Sequence, residues 1–379
     1  SIFFDEDGKA YVVNNDDAPD YKPEYDGHRT IRIQEFDWKN DRMVGPRKIL
    51  INKGVHPEDK PIWIEGPHLY KINGKYFLMD AEGGTSVNHS EVIFRSDSPW
   101  GPFKPWKNNP ILTQRHLNPN RPNPITCAGH ADLIQAAEGD WWAVFLACRP
   151  INNRFENLGR ETFLMPVKWS EDGFPYITQG NESLPMMQKR DGVLREKEVT
   201  FGNFDVEEAF NDSILDMQWM TLRGPATDLY SLTQTPGYLT LKCAPKSSKE
   251  RGVPALVCRR MQHHEFETTT RMYFNPQSME EKAGLLLFKD EFHQYFMAVG
   301  ESESNRTVSL IQIGREEDKI LFSDKISSNA TCFDLKVVSE GLTYDFLYSI
   351  DKGETWNKLC EKVDAGYLST AVAGGFTGT

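Results

Sequence analysis

Glu65 stands in the run Trp63-Ile64-Glu65-Gly66-Pro67, where the Gly-Pro break leaves its carboxyl at the end of a predicted strand. Apolar neighbours disfavour the ionised form of a carboxyl group, so a glutamate in this setting is a candidate general acid. Hydrolysis of a glycosidic bond uses such an acid together with a second, ionised carboxylate that activates water or attacks the sugar. Glu82, in Ala81-Glu82-Gly83-Gly84-Thr85, is a weaker candidate of the same kind. His130 lies in Thr-Cys-Ala-Gly-His-Ala-Asp-Leu, just before a predicted strand, and is a candidate substrate or metal contact; a hydrogen-bonded structural role is the competing reading. Arg160, in Leu-Gly-Arg-Glu-Thr-Phe, enters an apolar strand, where a guanidinium pairs with a carboxylate and also offers donors to sugar hydroxyls. His263 and His264 resemble a metal pair only superficially, because consecutive strand residues face opposite sides. Trp63, Trp100, Trp106, Trp141 and Trp142 could stack on sugar faces, although most must be core and the 141–142 pair can send only one ring to a given surface.

The composition narrows what these residues can act on. With 55 acidic against 43 basic residues, the net charge of −12 disfavours nucleic acid and anionic lipid as partners and suits a neutral ligand such as a sugar. No apolar run approaches the roughly 18 residues of a membrane span. The six cysteines are scattered without a zinc or redox spacing, so they are expected to be single buried thiols. The chain opens at Ser1 directly in a strand-like Ser-Ile-Phe-Phe. The expectation is therefore that an upstream segment belongs to it, with a periplasmic or secreted location if that segment is a leader and a cytoplasmic one otherwise. Oligomerisation is left open.

The elements that must position these residues are β-strands. Short runs of β-branched and aromatic residues are broken everywhere by Gly, Asn, Asp and Pro. One pattern recurs in Ile-Phe-Phe-Asp-Glu-Asp-Gly-Lys-Ala-Tyr-Val-Val around Gly8, His-Leu-Tyr-Lys-Ile-Asn-Gly-Lys-Tyr-Phe-Leu-Met around Gly74, and the strand-turn-strand around Gly139. Each is a hairpin, and their spacing of about 65 residues is near that of propeller blades. The Asp5-Glu6-Asp7-Gly8 turn reads as a solvated hairpin tip. A polar stretch follows from about residue 181, and beyond it seven short strands predict an antiparallel sandwich. The run Tyr-Ser-Ile-Asp-Lys-Gly-Glu-Thr-Trp (348–356) reads as a stable turn closing one more hairpin.

The segments 63–85, 128–145 and 158–175 resemble family 43 of the glycoside hydrolases, the β-xylosidases and α-L-arabinofuranosidases. The later half, from Ala-Phe-Asn-Asp-Ser-Ile-Leu-Asp to Gly-Gly-Phe-Thr-Gly-Thr, is similar to the concanavalin-like sandwich appended to many of those xylosidases. The resemblance implies an all-β chain: a five-bladed β-propeller, with about three blades present, followed by an antiparallel β-sandwich. The corresponding division is a partial propeller over 1–185, a linker over 186–203 and the sandwich over 204–379. It further implies an exo-acting, inverting hydrolase that releases xylose or arabinose from xylo-oligosaccharides or arabinoxylan-derived substrates. Glu65 matches the family's general acid, Thr85 and Arg160 match positions lining the sugar subsite, and Phe376 matches a sandwich-domain phenylalanine that walls the active site. His130 matches a central histidine near a bound water or calcium ion; no cofactor is required, and calcium beside His130 is the metal the resemblance suggests.

The chain departs from the family pattern in its carboxylates. The family's general-base aspartate, and the Asp-Pro aspartate that orients the acid, fall upstream of anything matching this sequence. The expectation is an internal portion of a longer enzyme, carrying one catalytic carboxyl of three. Two alternatives follow: a non-catalytic sugar-binding fragment, or an invertase-like retaining glycosidase, whose acid ordinarily sits in Glu-Cys-Pro where this chain has Glu-Gly-Pro.

Overall fold

The predicted hairpins around Gly8, Gly74 and Gly139 each form, and each opens a separate antiparallel sheet. All three glycines have positive φ (84°, 73° and 92°), the backbone that a tight hairpin turn demands. The computed structural model describes residues 1–190, 205–302 and 305–379. The chain is all-β and divides into two units, residues 1–153 with 160–191, and residues 154–159 with 192–379.

In the first unit, β1 (Ile2–Phe4), β2 (Ala10–Asp17), β3 (Arg29–Asp37) and β4 (Arg42–Asn52) make a four-stranded meander. The second sheet contains β5 (Glu65–Ile72), β6 (Lys75–Glu82), β7 (Ser90–Ser96) and β8 (Lys104–Pro105), with β9 (Leu112–Thr113) also on β7. The third joins β10 (Thr126–Gln135), β11 (Trp141–Cys148) and β12 (Glu161–Pro166); a short hairpin of β13 (Lys168–Trp169) and β14 (Pro175–Tyr176) follows.

Successive sheets stack face to face. Tyr11, Val13, Ile31 and Ile33 of the first sheet pack with Leu69, Leu78, Val92 and Phe94 of the second. From the second sheet's other face, Phe77, Met79 and Ile93 pack with Leu133, Ala143 and Phe145 of the third. Each large apolar side chain buried this way contributes about 1.5–3 kcal/mol. The second sheet is therefore covered on both sides, which explains why β6 and β7 carry almost no exposed positions.

The turn at Asp5 differs from its expected solvated character. Glu6 and Asp7 are exposed, but Asp5 is buried, accepting from Tyr76 Oη at 2.5 Å and Lys71 Nζ at 2.9 Å. Its partners lie some 70 residues away, so no local pattern announces them.

The second unit begins with the two-residue strands β15 (Met220–Thr221), β16 (Tyr230–Ser231), β17 (Thr240–Leu241) and β18 (Val257–Cys258), paired as β15–β18 and β16–β17. Its body is formed by β19 (Glu265–Tyr273), β20 (Ala283–Asp290), β21 (His293–Ser302), β22 (Asn305–Ile313), β23 (Asp318–Ile326), β24 (Cys332–Glu340), β25 (Thr343–Ser349) and β26 (Asn357–Asp364). They make two four-stranded antiparallel sheets, β19-β24-β25-β26 and β20-β21-β22-β23. Met297, Val299, Val308 and Leu310 of one share a core with Phe333, Leu335, Val337 and Phe346 of the other. This is the predicted sandwich: β25 and β26 are the hairpin expected around 348–356, and β23 is added to the strands read from sequence.

The 349–355 turn is held by Asp351, which accepts from Ser349 Oγ at 2.6 Å and from the Thr355 amide at 2.9 Å. These bonds, led by the one from Ser349, lower its pKa to about 2. Phe376 lies in the C-terminal segment of this unit and is 54% exposed. Of the linker expected at 186–203, residues 191–203 lie outside the described residues. Of the six cysteines only Cys127, Cys148 and Cys360 are buried, whereas Cys243 is exposed; the expectation of uniformly buried thiols is corrected here.

Candidate active site

Glu65 is the first residue of β5, half-buried, and pairs with Ala81 of β6. A register shift between Glu65 and His68, with Gly66 at φ +59°, turns the chain sharply just after the glutamate. Gly66 is required by what lies against it: an added Cβ would stand 2.3 Å from Nε2 of His130. The imidazole of His130 is thus packed on the backbone immediately following Glu65.

His130 was expected before a strand and is found inside β10, exposed, with φ +54°. Two register irregularities, between Thr126 and Gly129 and between Gly129 and Asp132, bulge β10 here, and Cys127 also has positive φ (58°). Bulges re-aim side chains at functional sites. This one is fastened from β7 and the turn before it. Glu91, fully buried, accepts the Ala131 amide at 2.9 Å and also bonds the His130 amide. His89, likewise buried, bonds the Cys127 carbonyl through Nδ1 at 2.9 Å, and Gly129 packs against its ring. From β5, Tyr70 donates to Asp132 and accepts the Leu133 amide at 2.9 Å, while His68 stacks on Tyr70 with Nδ1 3.5 Å from Asp132.

Arg160 stands immediately before β12 rather than within it, and its Nη2 donates to Thr85 Oγ1. The two residues carried over separately from sequence are therefore direct partners. Thr85 follows Gly83 and Gly84. The Gly83 amide bonds the Ile62 carbonyl at 3.0 Å, and a Cβ at Gly84 would stand 2.6 Å from the Trp63 indole. Trp63 itself has φ +50° and is 41% exposed, so an aromatic face borders the opening beside Glu65.

Burial controls the ionisation of the surrounding groups. It drives the Glu91 and Asp80 pKa values well above the ordinary carboxylate range; Glu82 adds to the effect at Asp80, whose carboxyl oxygens have no hydrogen-bond partner. Burial also raises Glu82, whose carboxylate accepts the Val55 amide at 3.0 Å and leaves no room for a side chain at Gly54. Consecutive strand positions face opposite sides, so Glu82 points away from the Glu65 side of its strand pair and braces the turn at Gly54.

His89 is lowered to about 4, chiefly by burial and further by the charges of His130 and Arg160. It is neutral in the fold at pH values where an unfolded histidine begins to protonate. Between about pH 6.5 and 4 the unfolded chain binds a proton that the native chain refuses, so this term is fully stabilising above pH 6.5 and is lost toward pH 4. Its size is on the order of 3 kcal/mol. His89→Asn keeps a donor near the Nδ1 position and removes the titration. Denaturant unfolding of the two proteins across this window should show a smaller loss on acidification in the variant, and parallel curves would contradict the assignment.

Calcium takes about six to eight oxygen ligands. At the bulge the Glu91 carboxyl is spent on the Ala131 amide and Asp132 on Tyr70, and among the described residues no group of three His, Cys, Asp or Glu side chains placed to share an ion includes His130. The side chains present therefore do not make the oxygen cage that calcium takes. His263 and His264 lie just before β19 and join no such group either. Sequence reading passed over His89, Glu91 and Asp80; the available signal was a charged or imidazole group inside or beside an otherwise buried strand.

A half-buried carboxyl at a blade-strand start, with a histidine packed on the glycine that follows it and an exposed tryptophan packed on the Gly84 that precedes the Thr85–Arg160 pair, is the candidate site of this unit. The chain belongs to family 43 of the glycosyl hydrolases: residues 1–175 match the model of that family, and residues 207–379 match the beta xylosidase C-terminal concanavalin A-like domain. A xylosidase/arabinosidase of Butyrivibrio fibrisolvens is 33% identical over all of this chain, which spans 71% of that protein. A non-reducing end alpha-L-arabinofuranosidase of Bacteroides ovatus is 34% identical over 83% of this chain and 57% of its own length. Among solved structures, a GH43_12 protein retrieved from capybara gut metagenome superposes with a TM-score of 0.90 at 37% identity, covering 100% of this chain and 70% of that one. The chain is accordingly a glycoside hydrolase built from propeller blades and a sandwich.

Proposed function

We propose that the protein removes a terminal pentose, xylose or arabinose, from xylo-oligosaccharides by an inverting single displacement in which Glu65 is the general acid. The observation that carries this reading is the packing of His130 on Gly66, the residue directly after Glu65, in the unit that also holds the Arg160–Thr85 pair. Glu65 protonates the departing glycosidic oxygen, so the leaving group departs as a neutral alcohol. Arg160 and Thr85 supply donors and an acceptor to the hydroxyls of the terminal sugar, and the Trp63 face covers its apolar side. His130, held on the bulge, contributes one further polar contact beside the acid. The assignment covers the acid half of the reaction. The names of the related enzymes, xylosidase/arabinosidase and arabinofuranosidase, support a pentose and leave both sugars in place.

The test is the stereochemistry of the first product. Proton NMR during hydrolysis of a β-xyloside by the full-length protein should show α-xylose first, with the β anomer growing in only through mutarotation. A first-formed β anomer would mean a covalent intermediate and would overturn the single displacement.

A further inference from the structure

At the end of the blade strands away from Glu65 lies a cavity of about 420 Å³. It is lined by Lys71 and Asn73 from the β5–β6 hairpin, Gln135 and Gly139 from the β10–β11 hairpin, and Trp141 and Trp169. Its volume falls within the roughly 300–1,000 Å³ of small-ligand sites. Glu65 begins β5 and Lys71 lies at its far end, so at about 3.3 Å per residue the two openings are roughly 20 Å apart along one strand.

The chemistry of the lining selects a ligand class. Trp141 and Trp169 meet edge to face, with centroids 6.2 Å apart and planes at 77°, so the contact takes up one ring face at most and does not stack the two indoles. Trp141 packs against the core, while Trp169 is 38% exposed. The indole N–H groups of the buried Trp106 and Trp142 are taken up by Asp172 and Asp140, whereas those of Trp141 and Trp169 have no partner among the described residues. The Asn-Gly turn accounts for Asn73 at φ +50°, yet its side-chain amide bonds nothing among the described residues. Gln135 spends its NH₂ on the Gly139 carbonyl at 3.1 Å, and its carbonyl oxygen accepts from nothing among the described residues. The charges at the rim are compensated: Lys71 by Asp5 and Glu6, Glu138 and Asp140 by Arg190. Unspent donors and acceptors around an exposed aromatic ring, with every rim charge ion-paired and a net charge that repels anions, suit a neutral polyhydroxylated ring.

We propose that this cavity is a second, non-catalytic carbohydrate site, taking one or two pyranose units of a neutral oligosaccharide with Trp169 as the stacking platform. The choice of a xylan-type chain rests on the proposed function; the class of ligand does not. A site here would hold a longer substrate on the protein between cleavages at the Glu65 end.

The test uses the full-length protein carrying Glu65→Gln, so that the probe survives, titrated with xylotetraose and, in parallel, cellotetraose. The indole N–H signal absent from Trp169→Ala identifies Trp169 without further assignment. The expected result is a saturable shift of that signal and at least a tenfold weaker second binding event in Trp169→Ala. Turnover of a short chromogenic xyloside should be unchanged by Trp169→Ala in the wild-type background. A shift with cellotetraose alone would keep the site and remove xylan as its ligand. An unmoved Trp169 signal with both sugars, or binding unaffected by both Trp169→Ala and Gln135→Ala, would overturn the proposal whatever the outcome at Glu65.

Discussion

Glu65→Gln is expected to lower kcat on unactivated xylobiose by about 10²–10⁴-fold, the usual contribution of a positioned general acid. The loss should be much smaller on an aryl xyloside with a good leaving group, because a stable phenolate departs with little need for protonation. This inequality separates an acid from a binding residue, whose removal would penalise both substrates alike. Stability should hardly change. The carboxylate of Glu65 makes no hydrogen bond or ion pair within the described residues, and Gln is nearly isosteric, so the effect on unfolding should stay within about 0.5 kcal/mol. Near-normal activity on xylobiose, or equal losses on the two substrates, would remove Glu65 from the acid role.

Much of the scaffold beneath this prediction is legible in local sequence. Gly8, Gly74 and Gly139 sit between alternating strands and force hairpins whose geometry depends on a few neighbouring residues. The Gly-Pro step predicts a strand end at Glu65; it lies instead within β5, one residue after the strand begins, where it shifts the register. What escapes the sequence is decided by distant partners. Asp5 reads as a surface turn residue and is buried because Tyr76 and Lys71 reach it from the next sheet. Glu91 and His89 lie in or beside a strand whose alternation suggests one wet face, but stacking between two sheets buries both faces, and their polar atoms are spent on the β10 bulge. The positive φ of His130 is not announced by a turn sequence either; it accompanies the bulge at which Glu91 holds the His130 and Ala131 amides. Strand β23 was missed for a simpler reason: it is an edge strand, almost wholly exposed, with charges where a buried strand would carry apolar residues.

The bulge at His130 gives the second large effect, at Gly66→Ala. Two costs separate cleanly here. The left-handed backbone at φ +59° penalises any residue with a Cβ by about 1–2 kcal/mol. The same Cβ would meet His130 Nε2 at 2.3 Å, and neither side can retreat freely: the His130 backbone is pinned by Glu91, while Glu65 is fixed by its pairing with Ala81. The imidazole is exposed, so it relieves the clash by swinging outward, at little further cost in stability but with a displacement of the order of 1 Å beside the acid. Misplacement on that scale costs about 10²-fold in turnover. Gly8→Ala supplies the control, because Gly8 has φ +84° and nothing within 4 Å of an added Cβ. Both variants should lose comparable stability in denaturant unfolding, and only Gly66→Ala should lose turnover. If Gly8→Ala lost as much activity, the effect would be one of general stability; if Gly66→Ala kept full turnover, His130 would have no part in positioning the reaction.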